Sequence, residues 1–146
     1  MLRQEPTFDV DAFLAQPLVA RVASAGPSVR PIWFLWEERA FWWITGAYAR
    51  LPKLLAEDPR VTLLVDTCDL QTGQVLQVIA RGTAEVVPFD PSRARRKLVR
   101  YLGPDEATWD ERFNIGRLSE RDAESRLIRL LPDHLASHDL SFSTRC

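Results

Sequence analysis

A hydroxyl, a glycine and two basic residues lie close together in the middle of the chain. Thr45 and Gly46 end an apolar run, and Arg50 and Lys53 follow where a helix is predicted to begin. The first backbone N–H groups of a helix and the positive end of its dipole favour an anion. An arginine can also donate two parallel hydrogen bonds to phosphate oxygens. The spacing therefore predicts a site for a phosphate group.

Aromatic side chains precede this site. Four of the five tryptophans lie between Trp33 and Trp43, within two runs rich in Trp, Phe and Ile. Such residues favour strands, so residues 30–36 and 40–45 are predicted to form a hairpin around the charged turn 37–39. A hydrophobic hairpin beside a phosphate site would be a suitable seat for a flat aromatic cofactor with a phosphate tail.

The rest of the chain is predicted to contain mostly strands joined by short turns. Further strands are expected at residues 18–25, 60–66, 74–87, 126–131 and 134–142, and helices at residues 9–15, 51–58, 91–102 and 104–113. The predicted core includes Leu63, Leu64, Val65, Val78 and Leu130. Gly82 within a long strand indicates a bulge. This pattern is typical of a small antiparallel barrel with helices packed outside.

Composition narrows the class of protein. The 146 residues fit a single domain, spanning residues 1–146, and contain 46% hydrophobic and 27% charged residues, which argues against disorder. The net charge of −1 provides no field for nucleic acid or an anionic membrane. Cys68 and Cys146 have no metal-ligand spacing, and no signal core or membrane span is evident. We therefore expect a cytoplasmic protein with neither nucleic acid nor membrane as a partner.

The order of the motifs resembles a known family. RPIWFLW is followed by a strand that ends in TG, by an arginine before a helix that ends in DPRV, by the strand QVLQVIARG and by a late RLIRLLPD strand. Across residues 13–142 this order is similar to the pyridoxamine 5′-phosphate oxidase-like split barrels. The resemblance implies a mainly β fold, a six-stranded antiparallel split barrel with flanking helices. It also implies a homodimer that binds FMN, or the related deazaflavin coenzyme F420, where two subunits meet.

The resemblance also assigns roles to particular residues. The positions that it gives to the cofactor are Arg30, Ile32, Trp33, Phe34, Thr45, Gly46, Arg50, Lys53 and Gln77. Residues 30–34 would follow the ring and ribityl chain, Thr45 and Arg50 would hold the phosphate, and Gln77 would contact the flavin. Leu51 departs from the family, which has a lysine there, and Lys53 is a candidate to compensate. The C-terminal segment of the vitamin oxidase is not evident, so flavin binding is implied more strongly than the vitamin reaction.

Each of these features also has a purely structural interpretation. Trp33, Trp43 and Tyr48 suit a core or a dimer interface as well as a cofactor contact. Basic residues share one face of the predicted helix 91–102, which predicts a solvated face or, alternatively, a dock for the polyglutamate tail of the deazaflavin: Arg93, Arg96, Lys97 and Arg100. His134 and His138 lie about 13 Å apart on an extended segment, too far for one ion, so no metal site is expected.

The sequence leaves several functions open. The first is an FMN-dependent oxidoreductase that acts on a small organic substrate, with no catalytic residue predicted because the cofactor supplies the chemistry. The second is a deazaflavin-dependent reductase of the same fold. The third is a module that binds a flavin, haem or another flat ligand without turnover. The fourth is a barrel that uses its aromatic residues only for dimerisation.

Overall fold

One antiparallel sheet forms the centre of the computed structural model, which describes residues 8–144. Its strands are β1 (Val19–Ser24), β2 (Ser28–Trp33), β3 (Leu35–Glu37), β4 (Ala40–Thr45), β5 (Arg60–Asp69), β6 (Gln74–Pro88) and β7 (Arg126–Asp139). They lie side by side in the order β2-β1-β5-β6-β7-β4-β3. The predicted mainly β antiparallel barrel with flanking helices is confirmed, with seven strands in place of six.

Short helices connect and cover the sheet. They are α1 (Val10–Leu14), α2 (Leu51–Glu57), α3 (Pro91–Leu102) and α4 (Ile115–Leu118), with 3-10 turns at Glu106–Thr108, Glu111–Phe113 and Arg121–Ala123. Asp9 and Asp90 accept hydrogen bonds from N–H groups of the first turns of α1 and α3, as their positions predict. The helix predicted at residues 104–113 is wrong. Asp105 and Asp110 each cap a separate 3-10 turn there, which divides the segment in two. No helix in the described part of the chain is long and apolar enough to cross a membrane.

The extra strand arises because the predicted strand 30–36 is interrupted at Phe34. β2 pairs with β1, whereas β3 pairs with β4 at the opposite edge of the sheet. The backbone N–H of Phe34 donates to the Tyr101 hydroxyl (3.0 Å), and that hydroxyl donates to the carbonyl of Leu18 (2.6 Å). A side chain of α3 therefore holds the crossover, and the continuous chain from β2 to β3 joins the two edges and curls the sheet into a barrel.

The inner face of the barrel contains the core. Leu63, Val65, Val78 and Leu130 are fully buried, as predicted. The prediction for Leu64 is wrong, because strand alternation places it on the outer face, where it is only partly buried. The bulge predicted at Gly82 is confirmed by a register shift between Arg81 and Gly82.

The basic face of α3 is only partly solvated. The Arg93 guanidinium lies 3.6 Å from the ring centroid of Trp42 and forms ion pairs with Glu37 (3.0 Å) and Glu38 (3.4 Å). Arg96 forms a second pair with Glu37 at 2.7 Å. The acidic hairpin turn between β3 and β4 thus occupies the site that an acidic cofactor tail would need. We call this group of residues the α3 clamp.

Lys97 differs from its basic neighbours. Its side chain is buried, and burial lowers its pKa to about 8. The simple helical-face argument placed Lys97 with Arg93 and Arg100 in solvent, and it is wrong for this residue. Lys97 lies next to Ala94 and Leu98, whose side chains pack against the barrel.

Candidate functional site

Four of the nine predicted cofactor residues lie on β2 and β4, two strands that are not paired with one another. In the described part of the chain, β2 pairs only with β1, and the last residues of β4, Trp43–Thr45, pair only with β7. β2 and the end of β4 therefore leave an opening between them that no hydrogen-bonded ladder closes. We call this opening the split. Arg30 lies beside it on β2, and Thr45 lies at the end of β4.

Arg30 has an unusual environment for a basic residue. Its register partner on β1 is the buried Val22, so its side chain lies on the inner face of the sheet. Its Nη2 donates to the Ser28 hydroxyl (2.6 Å), but its Nη1 is buried with no hydrogen-bond partner among the described residues. Burial and the nearby charge of Arg50 both lower the pKa of Arg30. Two guanidinium groups thus lie close together, and one has an unsatisfied donor, which a bound anion would stabilise.

Arg50 precedes α2 and is exposed, with no side-chain capping bond. Lys53 lies one turn further along α2 and is also exposed. Leu51, the position where the family usually has a lysine, is only 3% exposed and belongs to the barrel core. Position 51 is therefore directed into the core, so a lysine there would have to leave the core to contact a phosphate.

Thr45 and Gly46 form the buried floor of the loop before Arg50. Thr45 is 7% exposed, and the Ala49 N–H donates to the Gly46 carbonyl (3.0 Å), which closes a tight turn. The ring of Tyr48 packs on Gly46 so closely that an added Cβ would lie 2.9 Å from Tyr48 Cε1. Tyr48 itself is 93% exposed. A side chain at position 46 would therefore push aside an aromatic ring that faces solvent.

The predicted aromatic contacts are largely used within the protein. Trp33 stacks on Tyr101 (ring centroids 4.7 Å apart, 3° between planes) and on Phe113 (5.6 Å). Phe34 and Trp43 are buried in the core. Ile32 is partly buried and packs against the same core from β2. These residues fix the shape of the split, and on β2 the backbone and the Arg30 side chain remain available to a ligand.

Gln77 lies on a different face from Arg30. On β6 it is the register partner of Asp66 and His138, and alternation places all three side chains on the outer face of the sheet. One chain therefore brings Arg30 and Arg50 together but does not place Gln77 beside them. His138 and His134 share that face on β7, which is extended as predicted.

Two surface clefts accompany the split. The smaller cleft, of about 330 Å³, begins at Thr45 and Gly46 and continues to the segment after α3, and we call it the loop cleft. Its other lining residues are Ile44, Tyr48, Glu111, Arg112, Arg117, Leu118, Ala123 and Ser125. The larger cleft, of about 560 Å³, lies at the Gly82 bulge and contains none of the predicted cofactor residues.

Sequence reasoning missed two residues of this region. Ser28 shares a face with Arg30 and accepts its hydrogen bond. The spacing of two along a strand was a usable signal for it. Tyr101 lies 67 positions from the Phe34 that it holds, and no local pattern indicates that contact.

Comparison with known proteins identifies the fold family. The family model described as pyridoxamine 5′-phosphate oxidase matches residues 7–138. The chain belongs to the pyridoxamine 5′-phosphate oxidase family. It has the flavin-binding split-barrel fold of that family, which confirms the resemblance inferred from the sequence. No curated protein matches the chain.

Solved structures agree on the fold of this family member. A conserved hypothetical protein of Mycobacterium tuberculosis is 18% identical with a TM-score of 0.68, over 95% of this chain and 89% of its own. An FAD-binding protein of Mesorhizobium loti is 17% identical with a TM-score of 0.65, over 97% of this chain and 100% of its own. An F420 reductase is 21% identical with a TM-score of 0.61, over 92% of this chain and 98% of its own.

Proposed function

We propose that this protein binds a flavin at the split and acts as an oxidoreductase on a small organic substrate. The observation that carries the proposal is the pair formed by Arg30 and Arg50. A buried guanidinium nitrogen without a partner, next to a second positive charge, fits a doubly charged phosphate of the kind that ends FMN. FMN is the proposed cofactor, and the deazaflavin coenzyme is the alternative.

The remaining residues of the site have roles that follow from their positions. Thr45 offers a hydroxyl at the end of β4, and Lys53 adds a mobile positive charge on α2. The free edge of β2 offers backbone N–H and carbonyl groups along which a flat polar ring can lie. When bound, the flavin supplies hydride transfer, and the protein orients it and limits the access of water. We assign no side chain to acid–base catalysis.

A second copy of the chain is part of this proposal. The outer face of β1, β2, β5, β6 and β7 has apolar side chains on each strand, interrupted by Arg21 between Pro31 and Leu64: Val19, Val29, Pro31, Leu64, Ile79 and Ala136. Monomeric proteins seldom leave such a face uncovered. A homodimer formed through this face would cover it and would bring Gln77 of one subunit towards the cofactor of the other. Light scattering at micromolar concentration should show twice the mass of one chain, and a monomer would contradict the dimer.

Absorption spectroscopy and ligand titration of the purified protein test the proposal. We expect a protein that binds FMN with a flavin spectrum, and binds riboflavin, which has no phosphate, about ten- to a hundredfold more weakly. Equal affinities for FMN and riboflavin would contradict the phosphate site. A preparation that binds added deazaflavin but not FMN would favour the alternative cofactor.

Turnover distinguishes an enzyme from a binding module. The loaded protein should pass electrons between a nicotinamide or dithionite reductant and a small acceptor such as a quinone or nitroaromatic compound. A flavin that stays oxidised with the nicotinamide, and stays reduced with every acceptor after dithionite treatment, would point to the module that binds without turnover.

A further inference from the structure

Two buried polar atoms of the β1–β2 hairpin have no hydrogen-bond partner among the described residues. They are Nη1 of Arg30 and the hydroxyl oxygen of Ser24. Buried polar groups in folded proteins are nearly always hydrogen-bonded, so two unsatisfied groups on one hairpin require an explanation. The proposed flavin site gives a role to Arg30 but leaves Ser24 without one.

The two groups lie on the same face of the hairpin. Ser24 of β1 pairs with Ser28 of β2, and Val22 pairs with Arg30. Val22 is fully buried on the inner face of the sheet, and strand alternation places Ser24, Ser28 and Arg30 on that face as well. The Cβ atoms of directly paired residues lie about 5 Å apart. Ser24 is therefore next to the serine that holds the Arg30 guanidinium.

These three side chains offer hydrogen-bond donors and no negative charge. The Ser28 hydroxyl accepts from Arg30 Nη2 (2.6 Å), so its own proton remains available to an acceptor. Arg30 Nη1 lies beside Nη2 in the plane of the guanidinium, and Ser24 adds a second hydroxyl. Arg30 takes part in none of the ion pairs of the described residues. An oxyanion can accept from all three groups, whereas a cation or an apolar group can satisfy none of them.

We propose that Ser24 and Ser28 complete the phosphate site. Ser28 holds the Arg30 guanidinium in place and is a positioning residue, whereas Ser24 donates to an oxygen of the bound phosphate. This inference rests on the proposed flavin site and names two hydroxyls that set its preference for FMN over riboflavin. The ligand-free protein carries the cost of unsatisfied donors, and a bound phosphate removes that cost.

Titration calorimetry with FMN and riboflavin, together with thermal melts of the ligand-free chain, tests the role of Ser24. Ser24→Ala should lower the affinity for FMN by about tenfold and leave the affinity for riboflavin within about twofold. The melting temperature of the ligand-free variant should stay unchanged or rise by up to about 4 °C, because the substitution removes an unsatisfied buried hydroxyl. A hydroxyl that only supports the fold would give a lower melting temperature.

Conservative variants test whether the hydroxyls themselves are needed. Ser24→Thr keeps the hydroxyl, and the added methyl group has room because Ser24 also lines the larger cleft, so the FMN affinity should stay within about threefold. Ser28→Ala should lower the FMN affinity by about tenfold, since Arg30 loses its anchor, and Ser28→Thr should restore it.

Thr67→Val is the matched control. The Thr67 hydroxyl is also buried without a partner among the described residues. It lies on β5 six residues beyond Val61, the register partner of Ser24, which is a distance of about 20 Å along the strand. The variant should melt no lower than the wild-type chain, and its affinities for FMN and riboflavin should not change.

The outcomes distinguish the role of Ser24 from the proposed function. If the wild-type chain binds FMN no more tightly than riboflavin, the phosphate site and the role of Ser24 are both wrong. If the wild-type chain prefers FMN and Ser24→Ala keeps that preference, the flavin site stands and the role of Ser24 is wrong. If Ser24→Ala loses FMN and riboflavin equally, the hydroxyl supports the hairpin and does not bind the phosphate, which overturns the inference.

Discussion

Arginines occur in two regions of this barrel in opposite electrostatic situations. In the α3 clamp, Arg93 and Arg96 share Glu37, and Arg93 also contacts Glu38 and covers Trp42. At the split, neither Arg30 nor Arg50 has a carboxylate within 4 Å among the described residues, and the two repel one another. Basic residues that are paired inside the chain hold the fold, whereas basic residues that are left together without a partner indicate an anionic ligand.

The pKa of Glu37, an acidic residue of the α3 clamp, agrees with this difference. The hydrogen bond from Arg96, together with the charges of Arg96, Arg93 and Arg100, lowers the pKa of Glu37. A carboxylate with a lowered pKa contributes stability at neutral pH that is lost as the pH falls through that value. The pKa of Arg30 is lowered as well. For a basic group, a lowered pKa means that the environment disfavours the charged form. The folded protein thus tolerates an electrostatic cost at the split that it avoids at the clamp.

The largest loss of stability is expected when a positive charge is added in the barrel core. Leu51→Lys would direct an ammonium group into the core, because Leu51 is 3% exposed. We expect the free energy of unfolding to fall by about 3–5 kcal/mol in urea melts. Ala56→Lys, on an exposed position of the same helix, should change it by less than about 0.5 kcal/mol. A stable Leu51→Lys variant that binds FMN more tightly would show that position 51 reaches the phosphate site after all.

Removing the isolated cation of α3 should stabilise the protein. Burial lowers the pKa of Lys97 from 10.5 to about 8, so the unfolded chain binds more protons between these two values. Stability should therefore rise with pH between about 8 and 10.5, by on the order of 3 kcal/mol. Lys97→Met should be more stable by a similar amount at pH 7 and should lack this rise. Chemical denaturation at several pH values measures both, and an unchanged pH profile would contradict the isolated buried charge.

Breaking the clamp should cost stability without affecting the ligand. Arg93→Ala removes a largely buried side chain that contacts Trp42 and leaves Glu37 and Glu38 with one partner fewer. We expect a loss of about 2 kcal/mol in urea melts, with the FMN affinity of the folded protein unchanged. Arg95→Ala, on the exposed side of α3, serves as the control. Loss of FMN binding in folded Arg93→Ala would mean that the clamp belongs to the cofactor site.

Local features of the fold could be predicted from the sequence. Asp9 and Asp90 cap helices within a few residues of themselves, and Leu63 and Val65 lie in the core as predicted, although Leu64 between them does not. The bulge at Gly82 follows from one glycine in a long strand. These predictions succeeded because each depends on neighbours in the sequence.

Features that depend on distant contacts could not be predicted. The break at Phe34 depends on the hydroxyl of Tyr101, 67 positions away. The helical spacing of the α3 arginines could not show that the hairpin turn after β3 would pair with them. The proximity of Arg30 to Arg50 likewise required the folded barrel. The resemblance placed Arg50 at the phosphate and Arg30 along the ring and ribityl chain, without showing that either residue lacks other partners.

Titration of Arg50→Ala with FMN and riboflavin tests the central claim most directly. Arg50 is exposed and makes no ion pair with another described residue, so its removal should change the free energy of unfolding by less than about 0.5 kcal/mol. The affinity for FMN should fall about ten- to a hundredfold, and the affinity for riboflavin should stay within about twofold. Arg95→Ala, a paired arginine of α3, should leave both affinities unchanged. An equal loss for FMN and riboflavin in Arg50→Ala, or no loss for either, would contradict the claim that the unpaired arginines of the split bind the phosphate.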